Sequence, residues 1–150
     1  MEAVIFVGLQ GSGKSTFYKE RYFTTHIRLN LDMLKTRHRE TRLLQFCIET
    51  KQPFVVDNTN PTRGDRSVYL HAAKNAGYRS IGYYFRSRFE DCKRRNEQRT
   101  GSEQIPLLGI LSTARRLELP NRSEEFDDLF YVRIDEENRF VIEEWKDEVR

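Results

Sequence analysis

The stretch GLQGSGKST, residues 8–16, directly follows the apolar run AVIFV. Its spacing fits G-x-x-x-x-G-K-[ST], which cradles nucleotide phosphates where it joins a strand to a helix. Gly8, Gly11 and Gly13 permit tight backbone turns, so N–H groups can point at phosphate oxygens. Ser12 and Thr16 belong to the same stretch, and the helix that follows adds its positive end. Lys14 is expected to reach the β- and γ-phosphates and Ser15 to ligate Mg²⁺. The implied cofactors are therefore ATP, or another NTP, and Mg²⁺. The motif defines a phosphate donor and leaves the recipient open: water, a small molecule or a nucleic acid.

Asp57 ends the apolar run FVVD, where a carboxylate can help hold the Mg²⁺ water shell, through water sooner than by a direct bond. Asp32 follows HIRLNL in a loop expected to face the γ-phosphate. There it can orient an acceptor hydroxyl and take its proton. Capping a helix that starts at Met33 is equally compatible with its position. Arg95 and Arg99 stand four residues apart, on one face if the segment is helical. With the loop TGSEQ behind them they could close over the phosphates as a lid; a solvated charged face is the plain alternative.

These residues need a scaffold. Apolar runs at residues 3–7, 26–30, 54–57 and 78–85 read as strands. Helices are expected over residues 14–21, 33–50 without a break, 62–76, 87–99 and from Pro106 to about 119. Ser87 and Glu90 have the spacing of a capping box at the start of the fourth. Residues 130–134 and 139–142 read as a hairpin or strand pair. Strands alternating with helices indicate one α/β domain over residues 1–150, with a mostly parallel sheet covered on both faces. In such a sheet the site lies at the carboxyl ends of the strands, where the loop, Asp32 and Asp57 would meet.

The composition agrees: 150 residues, 37% hydrophobic and 33% charged, suit one globular domain. No apolar run approaches the ~20 residues that span a bilayer, and because Met1-Glu2 runs straight into a strand-like segment no cleaved signal peptide is expected. A cytoplasmic protein with no membrane partner is expected. Cys47 and Cys92 read as reduced thiols, and His26, His38 and His71 as surface or loop residues. Net charge is +3, but residues 51–120 carry +6 and residues 121–150 carry −6. The basic surplus lies with the motifs, compatible with a polyanionic partner.

Four segments in order, GLQGSGKST, LNLDML, VVDNTNPTR and KRRNEQRTGSEQIP, carry a resemblance over roughly residues 3–118. The chain resembles the kinase domain of polynucleotide 5′-hydroxyl kinases, including the domain found beside a phosphatase in end-healing enzymes. The resemblance implies a P-loop NTPase of the kinase type with an Arg-bearing helical lid. It also implies γ-phosphate transfer to the 5′-OH end of DNA or RNA. Asp32 would be the general base, with Lys14, Arg95 and Arg99 on the donor phosphates. Lys35, Arg37, Asp57 and Asn58 would meet the acceptor, with Arg63 and Arg66 as further backbone contacts.

The chain departs from the family at Leu31, where an Arg is frequent, and at Lys35, where one branch has an Arg. Lysine offers a point charge where arginine offers a fork. No Asp-x-Asp-Gly-Thr motif occurs, so no phosphatase activity is expected. The alternatives are a small-molecule kinase on the same scaffold and a nucleotide-dependent binding module.

Overall fold

A computed structural model of the chain describes residues 1–101 and 104–147. The central strand β1 (Glu2–Val7) is followed by the phosphate-loop stretch and helix α1 (Lys14–Arg21). Strand β2 (Ile27–Leu29) leads into a one-turn helix, α2 (Leu31–Leu34), and then α3 (Arg37–Thr50). Next come β3 (Phe54–Val56), α4 (Arg63–Asn75) and β4 (Arg79–Phe85). Helices α5 (Phe89–Glu97) and α6 (Leu107–Arg116) precede the hairpin β5 (Asp128–Ile134) and β6 (Phe140–Glu144).

The six strands form one sheet in the order β2-β3-β1-β4-β5-β6. All neighbours pair in parallel except β5 and β6, which are antiparallel. A strand buried on both faces reads as a continuous apolar run, and β1 does so from Ala3 to Val7, all fully buried. Ala3 and Ile5 face a core with Leu44, Cys47, Tyr69 and Leu70 of α3 and α4. Val4 and Phe6 face the other side, with Phe17, Tyr18, Tyr22, Tyr83 and Phe85. There Phe17 stands edge-on to Phe85, with ring centroids 5.2 Å apart, a favoured aromatic geometry. A small cluster of Leu9, Cys92 and Ile110 fastens α5 and α6 to the phosphate loop.

Three local expectations are corrected. The helix over 33–50 is broken: Lys35 has φ 76° and Thr36 caps α3 by accepting from Arg39 N. Ser87 caps nothing. It accepts from Leu9 N (2.9 Å) and donates to Phe85 O (2.7 Å), so it fixes the entry to the phosphate loop. Helix α5 ends at Glu97 with Gln98 as its C-cap, so Arg99 lies beyond it. Part of the TGSEQ loop, Ser102 and Glu103, lies outside the described residues.

Candidate active site

Gly11 has φ 81°, and a Cβ placed there would lie 2.5 Å from the Cys92 carbonyl oxygen. Only glycine lets α5 sit this close over the loop. Gly13, at φ 102°, caps α1 with no side-chain hydrogen bond. The helix start therefore offers its N–H groups to an anion. Lys14 is folded back into its own loop. Its Nζ donates to Gly8 O (2.9 Å), Leu9 O (2.8 Å) and Ser12 Oγ (3.4 Å). Burial pushes its pKa down to about 8, against the opposing pull of the Asp57 carboxylate.

Asp57 is buried at the end of β3 and touches the loop directly. Its Oδ2 accepts from Ser15 Oγ at 3.0 Å and from Arg28 Nε at 2.8 Å. Arg28 Nη2 also donates to Ser15 Oγ at 2.8 Å. The sequence reading missed Arg28, because one arginine in a short strand belongs to no motif. The two oxygens are hard donors suited to Mg²⁺, and a cationic group already stands on both. Among the described residues no group of three or more His, Cys, Asp or Glu could hold a metal. A cation here would take its remaining ligands from phosphate and water, as Mg²⁺ does.

The turn bearing Asp32 is braced from beneath. Asn30, not Asp32, caps α2: its Oδ1 accepts from Met33 N at 2.9 Å and its Nδ2 donates to Asp57 O at 2.6 Å. Asn58 Oδ1 accepts from Leu31 N at 2.9 Å, and its Nδ2 donates to Glu40 Oε2 at 2.8 Å. Glu40 is buried and also accepts from Tyr69 Oη and Arg37 Nη1. Asn60 Nδ2 donates to Phe6 O, and Gly8 N to Thr59 O. The segment DNTNP thus ties the turn bearing Asp32 to the phosphate loop.

Asp32 itself is exposed, at the edge of a cleft of about 770 Å³. Ser15, Thr16, Lys19, Arg28, Lys35 and Arg99 line it. The two expected lid arginines part company here. Arg95 donates to Gly11 O at 3.2 Å and faces a separate hollow with Arg86, Gln98 and Asn138. Arg99 joins the Asp32 cleft. Asn96 causes the division: its amide grips both Ile105 N (2.8 Å) and Ile105 O (2.7 Å), turning the chain at the end of α5.

Other expected contacts are engaged elsewhere. Arg37 bonds Glu40 and Tyr69. Arg66 is wholly buried, paired to Glu124 at 2.8 Å and 3.0 Å, and donates to the carbonyls of Asn60, Pro61 and Glu118. It shapes the loop after Asp57 and is out of reach of a strand, which corrects the expectation for it. Arg63 is bonded to Ser123 at 2.9 Å.

With a strand-loop-helix anion cradle, a buried carboxylate on its serine and a carboxylate across the cleft, the arrangement suits phosphoryl transfer. The sequence profile of the AAA domain family matches residues 4–120. The chain belongs to the AAA domain family. The chain is 28% identical over 129 residues to a bifunctional polynucleotide phosphatase/kinase of Schizosaccharomyces pombe. That match covers 83% of this chain and 32% of the yeast protein, so the chain spans about a third of its relative.

Among solved structures, Chaetomium thermophilum Kti12 in complex with ADP-AlF3 aligns with TM-score 0.66 at 19% identity, covering 91% of this chain and 92% of that one. A gluconokinase from Sinorhizobium meliloti aligns with TM-score 0.60 at 17% identity, covering 87% and 82%. The fold of this AAA domain is that of the P-loop kinases. Among its described residues no helix is long and apolar enough to cross a membrane.

Proposed function

We propose that the chain is a polynucleotide 5′-hydroxyl kinase that moves the γ-phosphoryl group of ATP, or another NTP, to the end of a DNA or RNA strand. The observation that carries this reading is the cleft, where the Asp32 carboxylate stands among Lys19, Arg28, Lys35 and Arg99 and opens onto Ser15. A base among cations suits a hydroxyl that arrives on a polyanion. The yeast relative's name points the same way.

In this reading the loop N–H groups and Lys14 take the donor phosphates. Ser15 would hold Mg²⁺ directly and Asp57 through water. The cation, when bound, neutralises charge on the donor phosphates. Asp32 accepts the proton of the 5′-hydroxyl as its oxygen bonds to the γ-phosphorus, and the bond to the nucleoside diphosphate breaks. Arg99, on the Asp32 side, and Arg95, above Gly11, neutralise charge as transfer proceeds. Lys35 binds acceptor phosphate as a point charge. Arg37 holds Glu40, and through it the brace under Asp32.

The test offers γ-labelled ATP and Mg²⁺ with 5′-hydroxyl oligonucleotides of both sugars and with a panel of sugars and nucleosides. Label is expected in the oligonucleotides, in amounts that fall steeply with added salt because phosphate contacts release counterions. Label in the small compounds alone refutes the reading.

A further inference from the structure

Arg28 is counted above only among the cations of the cleft, yet it makes direct contact with both Ser15 and Asp57. Its guanidinium bridges the two side chains read here as the cation's anchors, at 2.8 Å from Asp57 Oδ2 and 2.8 Å from Ser15 Oγ. Asp57 is 1% exposed. A carboxylate buried to that degree needs a countercharge. The Tyr18 ring lies 5.8 Å from the Arg28 guanidinium carbon, and Tyr18 Oη is itself fixed to His26 O at 2.6 Å. The guanidinium is thus held by two hydrogen-bonded oxygens and an aromatic face, a built position for a cation.

That position imposes a condition on metal binding. A bare divalent ion would gain two protein oxygens and would have to expel a charge-assisted, hydrogen-bonded guanidinium. An ion that arrives on a nucleotide brings its own phosphate oxygens. The loop and Lys14 then hold those phosphates independently of Asp57.

We propose that Arg28 is the resident counter-cation of Ser15 and Asp57, exchanged for a divalent cation only when a nucleotide carries that cation in. The inference rests on the reading of Ser15 and Asp57 as the cation's anchors. Its side chain is 25% exposed and already lines the Asp32 cleft. The released guanidinium turns into that cleft, so donor loading adds a free cation where the acceptor's phosphate arrives.

The test uses Mn²⁺ as the probe, with free Mn²⁺ followed by electron paramagnetic resonance in the absence of nucleotide. Wild type is expected to bind Mn²⁺ weakly, and Arg28→Gln at least about tenfold more tightly, because a like charge is gone from the site. The double variant Arg28→Gln with Asp57→Asn is expected to lose that gain. Circular dichroism and ADP binding without metal verify that each variant is folded. A folded Arg28→Gln that binds Mn²⁺ no more tightly than wild type overturns the proposal, as does a gain that survives in the double variant. Should Arg28→Gln fail to fold, Arg28→Lys takes its place. Its compact ammonium on a shorter reach cannot bridge both oxygens, so a smaller gain is expected, and no gain overturns the proposal. A wild type that fails to bind Mn²⁺ even with ATP present refutes the metal reading itself.

Discussion

Lys14 makes nucleotide binding sensitive to pH in a way that can be worked out in advance. In the free protein its ammonium is buried against Gly8 O, Leu9 O and Ser12 Oγ, and its pKa is about 8. On a bound phosphate it must be charged, so the pKa rises and a proton is taken up. The uptake is about 0.1 proton at pH 7, about 0.5 at pH 8 and about 0.9 at pH 9. The sign is fixed: the neutral amine that accumulates above pH 8 must be protonated before it binds, so affinity falls as pH rises. The dissociation constant for ADP should weaken about tenfold between pH 7 and pH 9.

The second ionisation of a phosphate, near pH 6, is largely complete across this window. The Cys92 thiol of α5, packed against the loop, is pushed up by burial and stays protonated longer than an ordinary thiol. Titration calorimetry in two buffers of different ionisation enthalpy reads the uptake directly. Lys14→Arg keeps its charge throughout and should show no uptake. A wild type whose heat is the same in both buffers at pH 8 refutes the picture of a buried, partly discharged lysine.

Four further outcomes are expected. Asp32→Ala should retain nucleotide affinity and lose about 10²–10⁴ in turnover, the range for a positioned base; near-full turnover in a quench-flow assay sinks its assignment. Asn58→Ala should cut turnover about tenfold or more while ADP affinity holds within about twofold, because the Asp32 turn loses an anchor; equal losses in both would count against the brace. Gly11→Ala should lower the melting temperature by roughly 4–8 °C, from a positive φ and a Cβ pressed on Cys92 O; an unchanged transition in calorimetry would refute that contact. Arg66→Ala should cost about 3–5 kcal/mol in urea unfolding, since it strands the buried Glu124 carboxylate; a loss below about 1 kcal/mol would show that the site relaxes.

The parts that were legible in the sequence are those in which residue type alone carries the geometry. The β1 run and the glycine pattern of the phosphate loop each have one physical solution, and a mostly parallel sheet followed from strands alternating with helices. The misreadings have particular causes. Residues 33–50 are rich in helix formers, so nothing local announces that Lys35 takes φ 76° and that the helix restarts at Thr36. The segment RNEQRT also reads as helix, and it is Asn96 clasping Ile105, a contact across nine positions, that ends it. Ser87 and Glu90 have capping-box spacing, but Leu9 N competes for the Ser87 hydroxyl and wins. Arg28 and Glu40 carried no signal because their meaning lies wholly in tertiary partners. A buried carboxylate is visible only once its donors, Asn58, Tyr69 and Arg37, are in place.

The segment DNTNP shows how the donor and acceptor sides are made one mechanical unit. Asp57 gives its carboxylate to Ser15 on the donor side and its carbonyl to Asn30 on the acceptor side. Asn58 holds α2 through Leu31 N, while Thr59 holds the start of the phosphate loop through Gly8 N and Asn60 the end of β1 through Phe6 O. Asn60 sits at φ 45°, a conformation asparagine tolerates better than most residues. Phosphoryl transfer needs its two oxygens in line to within fractions of an ångström, and loops alone would not hold that. The motif therefore has a structural reason that requires no contact with substrate. Its four tied residues set the distance between the glycine-rich loop and the Asp32 carboxylate.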